Sequence, residues 1–308
     1  GRNLADALGK LYRIPPIFLS AVGSDQSGAY LLNSLRHIDS SGVMVNKKAR
    51  TACYSALIDK SGEAKLGVGD MNIHSTITPD QIMKHKDIID NSPIIIMDGN
   101  ISQDTMNYTL KLGRQNSIPI WYEPTDLVKA VKPFNTDLWK SITCTSPNMY
   151  ELISMAKAIG ITAGDANDET DDDIDINKLL RQLAHLAIPL AEYIPIIMVT
   201  LGRRGLLMIS RAKYDEPVKN NFQILSSELF FRYYPGKSLS KLVNAMGAGD
   251  CTAAGFISGV LQGFTEPECI NLGARAAHEA LNSNMAIPEK FEIDSTLRLN
   301  TEFINILI

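Results

Sequence analysis

The sequence predicts an α/β fold built on a mostly parallel central sheet. Three observations carry this reading. First, PIIIMDGN (93–100), IPIWYEPT (118–125), SITCTSPN (141–148) and IPIIMVTLG (194–202) are apolar runs that end in polar or Gly residues. Unbroken Ile/Val/Met runs mark strands covered on both faces, hence parallel and central. Second, the first two runs start about 25 residues apart with a helical segment between them, the spacing of a strand–helix–strand unit. Third, residues 249–283 read as two helices separated by GFTEPE, the first carrying Ala253, Ala254, Phe256, Ile257, Val260 and Leu261 as an apolar stripe.

The other elements follow in order. GRNLADALGKL reads as a turn entering a helix with no strand before it, which predicts further sequence upstream. PPIFLSAVGSD is a short strand ending in a Gly-Ser-Asp loop, with a helix over 28–36 after it. TACYSALI (51–58) and EAKLGVG (63–69) flank the turn signal DKSG and predict a hairpin; its polar face suggests a position outside the main sheet. GDANDETDDDIDI (164–176) holds seven carboxylates in thirteen residues. It lacks the Gly and terminal Glu of a calcium loop and reads as a solvated surface loop. With no repeat or low-complexity linker, residues 1–308 are expected to form one domain with a small hairpin appendage.

Composition narrows the function. A chain of 308 residues can bury a substantial core. A charged fraction of 21% and a net charge of −4 argue against broad binding to polymeric nucleic acid or anionic membranes, and leave room for a small basic pocket. Cys53, Cys144, Cys251 and Cys269 lie far apart without a C-x-x-C pair, which fits neither a zinc site nor a disulfide scaffold and predicts a reducing compartment. No apolar run has transmembrane length and no signal peptide is evident. The expected location is the cytoplasm or an organelle such as the mitochondrion or peroxisome, not the secreted space.

In an open parallel sheet, ligands bind beyond the carboxyl ends of the strands. Those ends carry Asp98-Gly99-Asn100, Glu123-Pro124-Thr125, Pro147-Asn148 with Glu151, and Thr200-Leu201-Gly202. Gly247-Ala248-Gly249-Asp250 adds a glycine-rich turn before a helix. Gly247 and Gly249 let successive amides face one point, where the helix dipole favours an anion. That suits phosphoryl transfer, with Asp250 placed to accept a proton from an attacking hydroxyl. The alternative is that Asp250 only caps its helix.

NAMGAGDCTAAGFISGVLQG resembles the C-terminal signature of the ribokinase-like (PfkB) family of sugar and nucleoside kinases, whose usual form is D-T-x-G-A-G-D. In the family's order, GRN resembles the end of G-G-x-G-x-N, AVGSDQSG its G-x-D-x-x-G, SPNMYE its P-N-x-x-E and VTLGRRG its T-x-G-x-x-G. RTACYSALIDKSGEAKLGVGDM and WYEPTDLVKA resemble segments of the pseudouridine kinases within that family, some of which are fused behind a glycosidase. The resemblance implies a three-layer α/β/α fold with a β lid over about 48–72, ATP and Mg²⁺ as cofactors, and phosphorylation of pseudouridine at its 5′-hydroxyl. Ribose or adenosine is the alternative acceptor.

Carried over, Asp250 is the general base, and the amides of Gly247, Ala248 and Gly249 hold the transferred group. Asn148 and Glu151 orient Mg²⁺ through water, or else form only a capping box. Thr200, Gly202, Gly205 and Asn148 face ATP, or Thr200 and Gly202 form a plain turn. Asn3, Asp25, Gly28, Thr51, Tyr54 and Lys129 belong to the substrate side, with Asp25 and Lys129 also readable as ordinary loop and helix-start residues. A homodimer through the lid is implied as well. Asn244 and Met246 replace the family's Asp and Thr at a monovalent-cation site, which weakens the case for K⁺. The family's first-strand Asp and paired glycines have no counterpart here, which implies weak turnover, or a rival class of non-catalytic nucleotide-binding or interaction protein.

Overall fold

The structure, a computed structural model, describes residues 1–58, 64–162, 175–218, 222, 228–236 and 242–308. Its helices are α1 (Arg2–Leu11), α2 (Gln26–Ser34), α3 (Pro79–Met83), α4 (Lys86–Asp90), α5 (Gln103–Gln115), α6 (Leu127–Ala130), α7 (Met149–Ala158), α8 (Ile176–Ala191), α9 (Ala248–Gln262) and α10 (Glu266–Leu281). Its strands are β1 (Ser20–Gly23), β2 (Val43–Asn46), β3 (Cys53–Ile58), β4 (Ala64–Asp70), β5 (Ile95–Asp98), β6 (Ile120–Glu123), β7 (Cys144–Thr145), β8 (Ile196–Thr200), β9 (Gly205–Ser210), β10 (Phe230–Pro235) and β11 (Ile304–Asn305). They fall into two compact units: Gly1–Ile89 with Asn100–Thr105 and Leu239–Asn300, and Asp90–Gly99 with Met106–Ser238 and Thr301–Ile308.

The second unit holds a sheet in the order β11-β10-β9-β8-β7-β6-β5. The apolar runs supply β5 to β8, which pair in parallel with Ile95 beside Ile120, Trp121 beside Cys144, and Cys144 beside Ile196. Strand β9 returns antiparallel to β8, β10 antiparallel to β9, and β11 antiparallel to β10, so five of the seven strands point the same way. Gly205 makes the β8–β9 reversal possible. Its φ of +101° is closed to L side chains, and a Cβ there would run into the Tyr234 carbonyl and the Gly236 amide. Helix α8 lies on β8 and β9. It buries Leu179, Leu183, Ala184, Ala187 and Leu190 at the spacing of one helical face, each Leu stabilising the fold by about 1.5–3 kcal/mol.

The first unit centres on α9, which packs on α10 and α1. Helices α9 and α10 approach backbone to backbone: a Cβ on Gly255 would lie 2.6 Å from the Gly273 Cα. Gly263 in the left-handed region stops α9, and the Thr265/Glu268 capping box starts α10. Strands β1 and β2 form a parallel pair, and β3 and β4 an antiparallel hairpin outside the seven-stranded sheet, as expected for this segment. The DKSG turn lies outside the described residues, as does 164–174 of the acidic stretch, whose Asp175 caps α8. Helix α2 starts two residues before the expected 28–36 because the Asp25 side chain accepts from the Gly28 amide and fixes the start at Gln26.

Candidate active site

In the first unit, Gly247 adopts the left-handed region (φ 81°, ψ −7°), and a Cβ there would overlap the Ala286 carbonyl oxygen. This bend turns the chain into α9, whose first amides have no partner within the helix and meet its positive dipole end. Beside Gly249 the space is open: a Cβ would meet nothing within 4 Å. Asp250 stands in the first turn without capping it, since the N-cap is Gly247 and carries no side-chain bond. Its Oδ2 instead accepts from Asn3 Nδ2 at 3.0 Å, a contact between residues 247 positions apart. The adjoining Cys251 is buried, which pushes its thiol up to about 12 and leaves it inert at neutral pH.

Asp25, Gly28 and Thr51 also come together in this unit. The Asp25 carboxylate accepts from the Gly28 amide at 2.9 Å, the Thr51 hydroxyl at 2.5 Å and the Thr51 amide at 2.8 Å. The Thr51 hydroxyl in turn accepts from the Gly23 amide at 2.9 Å, joining the base of the hairpin to the end of β1. These bonds, the Thr51 hydroxyl first, lower the Asp25 pKa from 3.8 to about 2. Tyr54 is 59% exposed, and its ring lies over Gly67 and Gly69 of the facing strand.

In the second unit, Asn148 and Glu151 form a complete capping box. Asn148 Oδ1 accepts from the amides of Tyr150 and Glu151, and Glu151 Oε2 accepts from the Asn148 amide at 2.8 Å. Burial raises the Glu151 carboxyl above the ordinary glutamate range. Thr200 lies alongside through a parallel bridge to Asn148, its amide donating to the Pro147 carbonyl at 2.9 Å. Gly202 (φ 59°) leads into a short 3₁₀ turn and faces open space, whereas Gly205 is enclosed. Lys129 pairs its ammonium with Asp126 at 2.6 Å, and Asp126 also caps α6.

Several polar residues here escaped the motif reading. Lys132 Nζ donates to the Gly99 carbonyl at 2.9 Å, and burial lowers its pKa. Trp121 Nε1 donates to Ser146 Oγ at 3.1 Å, and Ser146 Oγ donates to Glu123 Oε2, a polar chain at the ends of β6 and β7 that runs from the buried Trp121 to the half-buried Glu123. Burial, with Asp98 and Glu123 nearby, pushes the Tyr122 phenol up, so it stays a donor to the Lys129 carbonyl. The only sequence signal was the position of Glu123 and Ser146 at predicted strand ends. Among the described residues, no group of three or more His, Cys, Asp or Glu side chains is placed to hold a metal ion, and no helix is long and apolar enough to cross a membrane.

The pseudouridine kinase of Arabidopsis thaliana is 25% identical over 321 residues, covering 95% of this chain and 84% of that protein. That of Escherichia coli (strain K12) is 25% identical over 316 residues, covering 99% and 87%. Among solved structures, Arabidopsis thaliana ribokinase complexed with ribose and ATP matches with a TM-score of 0.72 at 18% identity, covering 94% of this chain and 83% of that one. The adenosine kinase from Sinorhizobium meliloti matches at 0.66 and 17% identity, covering 96% and 80%. The fold is therefore the ribokinase-like α/β class. The model of the pfkB family carbohydrate kinases matches residues 1–290, and with the glycine turn, the Asp250 helix and the capped Asn148–Glu151 turn in family order, this chain belongs to the PfkB family of carbohydrate kinases.

Proposed function

We propose that this kinase transfers the γ-phosphoryl group of ATP to the 5′-hydroxyl of pseudouridine, with Asp250 as general base. One observation carries the reading: Asp250 stands free of capping duty at the head of α9, held by Asn3 beside the open Gly249. Asp250 takes the proton as the 5′-oxygen attacks, the bond to the β,γ-bridging oxygen breaks, and ADP leaves. The amides of Gly247, Ala248 and Gly249 meet the charge on the transferred oxygens, the kind of contribution on which phosphoryl transfer mainly depends. The two relatives named pseudouridine kinase favour that acceptor over ribose or adenosine.

Thr200, Gly202 and Gly205 are assigned to the nucleotide, and Asn3, Asp25, Gly28, Thr51, Tyr54 and Lys129 to the substrate side. Mg²⁺, which shields phosphate charge when bound, fits the oxygen donors of Asn148 and Glu151 only through water. Asn148 Oδ1 and Glu151 Oε2 are engaged in the cap, and such an ion keeps much of its hydration shell. The exposed Leu57, Leu66 and Val68 on the hairpin suit the proposed homodimer through this lid.

The test is ADP release with pseudouridine, uridine, ribose and adenosine as acceptors. Pseudouridine is expected to give the highest kcat/KM, and Asp250→Asn to lower kcat by about 10²–10⁴-fold. Equal rates for ribose or adenosine would move the chain to another branch of the family. Full activity in Asp250→Asn would remove the assigned base.

A further inference from the structure

Asn3 can serve Asp250 only if its amide is turned the right way. Its Nδ2 and Oδ1 ends are nearly isosteric, and the reversed amide would aim a carbonyl oxygen at a carboxylate. Asn3 Oδ1 accepts from Arg2 Nη1 at 3.1 Å, so Nδ2 is the end left for Asp250 Oδ2 at 3.0 Å. Arg2 is itself held, because Nη2 lies 3.2 Å from Asp6 Oδ2. Asp6 is 3% exposed, and a carboxylate is buried only where partners hold it. Its Oδ1 lies 2.9 Å from both Lys10 Nζ and His37 Nε2, contacts that are electrostatic rather than aligned hydrogen bonds. Lys10 Nζ also donates to the Pro288 carbonyl at 2.7 Å, anchoring the far side.

We infer that Arg2, gripped by the buried Asp6, is a positioning residue that fixes the orientation of the Asn3 amide and through it aims the Asp250 carboxylate. The guanidinium fork suits this task, since one nitrogen meets Asp6 while the other meets Asn3. A lysine ammonium lacks that planar pair of donors. The catalytic consequence rests on the kinase reading above; the orientation of Asn3 does not.

The test uses the full chain as Arg2→Met, which keeps the aliphatic stem, and Arg2→Lys, which keeps the charge. Hydrogen exchange of the Asn3 side-chain amide is followed by NMR, with its signal assigned by Asn3→Asp. Loss of the fixed orientation should speed that exchange about tenfold or more in both variants. In the kinase assay, both should lower kcat by about 10–10²-fold with the KM for ATP unchanged. Unchanged Asn3 exchange in Arg2→Met overturns the inference, as does unchanged kcat in an active wild-type background. A wild type that transfers no phosphate to any acceptor overturns the kinase reading instead, and the exchange measurement then decides the role of Arg2 by itself.

Discussion

Thr51 is assigned to the substrate side of the site, and the proton of its hydroxyl is already committed within the protein. It donates to Asp25 and accepts from the Gly23 amide, so its only proton is spent within the protein. The linked Asp25 makes this testable by pH. A carboxyl whose folded pKa is depressed from 3.8 to about 2 adds stability that is fully present above pH 3.8 and lost as pH falls through about 2. Thr51→Val removes the largest cause of that depression. The variant should therefore be less stable than wild type at pH 7 in urea titrations, with the gap narrowing between pH 4 and pH 2. A gap that stays constant over that range would detach Thr51 from Asp25.

Asn148 and Glu151 show how one element serves two readings. An Asn followed three residues later by Glu is both a capping box and the family's P-N-x-x-E motif, because each needs the pair at one helix start. The two roles separate by substitution. Asn148→Ala should cost about 0.5–2 kcal/mol in thermal or chemical denaturation, whereas Asn148→Ser keeps a capping oxygen and should melt close to wild type. If the proposed metal role holds, Asn148→Ser still raises the Mg²⁺ concentration needed for half-maximal activity. An unaltered Mg²⁺ requirement would leave capping as the function of this residue. Next to the edge strand β11, Arg232 on β10 is 1% exposed and donates to Ser210 Oγ and the Ala212 carbonyl, tying β10 to the end of β9 and the chain just beyond it.

For the whole molecule, neither compact unit is a continuous length of chain. The backbone passes from one to the other after Ile89, Gly99, Thr105, Ser238 and Asn300, so each unit is completed only by segments from both halves of the sequence. Separate unfolding of two autonomous domains is not expected of such connectivity. Calorimetry should give one endotherm with equal calorimetric and van't Hoff enthalpies; two resolved transitions would contradict this. ATP at a hundredfold excess over its Kd should add about 2.7 kcal/mol to the stability and raise the midpoint. An unmoved midpoint would count against nucleotide binding.

The sequence by itself determined what short-range patterns determine. Apolar runs became β5 to β8, the apolar stripe from Ala253 to Leu261 became α9, and the turn at Gly247 followed from backbone sterics at a single residue. Family membership was also legible, because each motif is a local stretch whose chemistry acts over a few residues. Tertiary structure alone decided the antiparallel extension through β9 to β11, the burial of Arg232, the partners of Lys132 and the joining of Asn3 to Asp250. The physical reason is range: a cap or a hydrophobic period is set within a turn or two of chain. A hydrogen bond between positions 3 and 250 exists only once α1 has packed against α9.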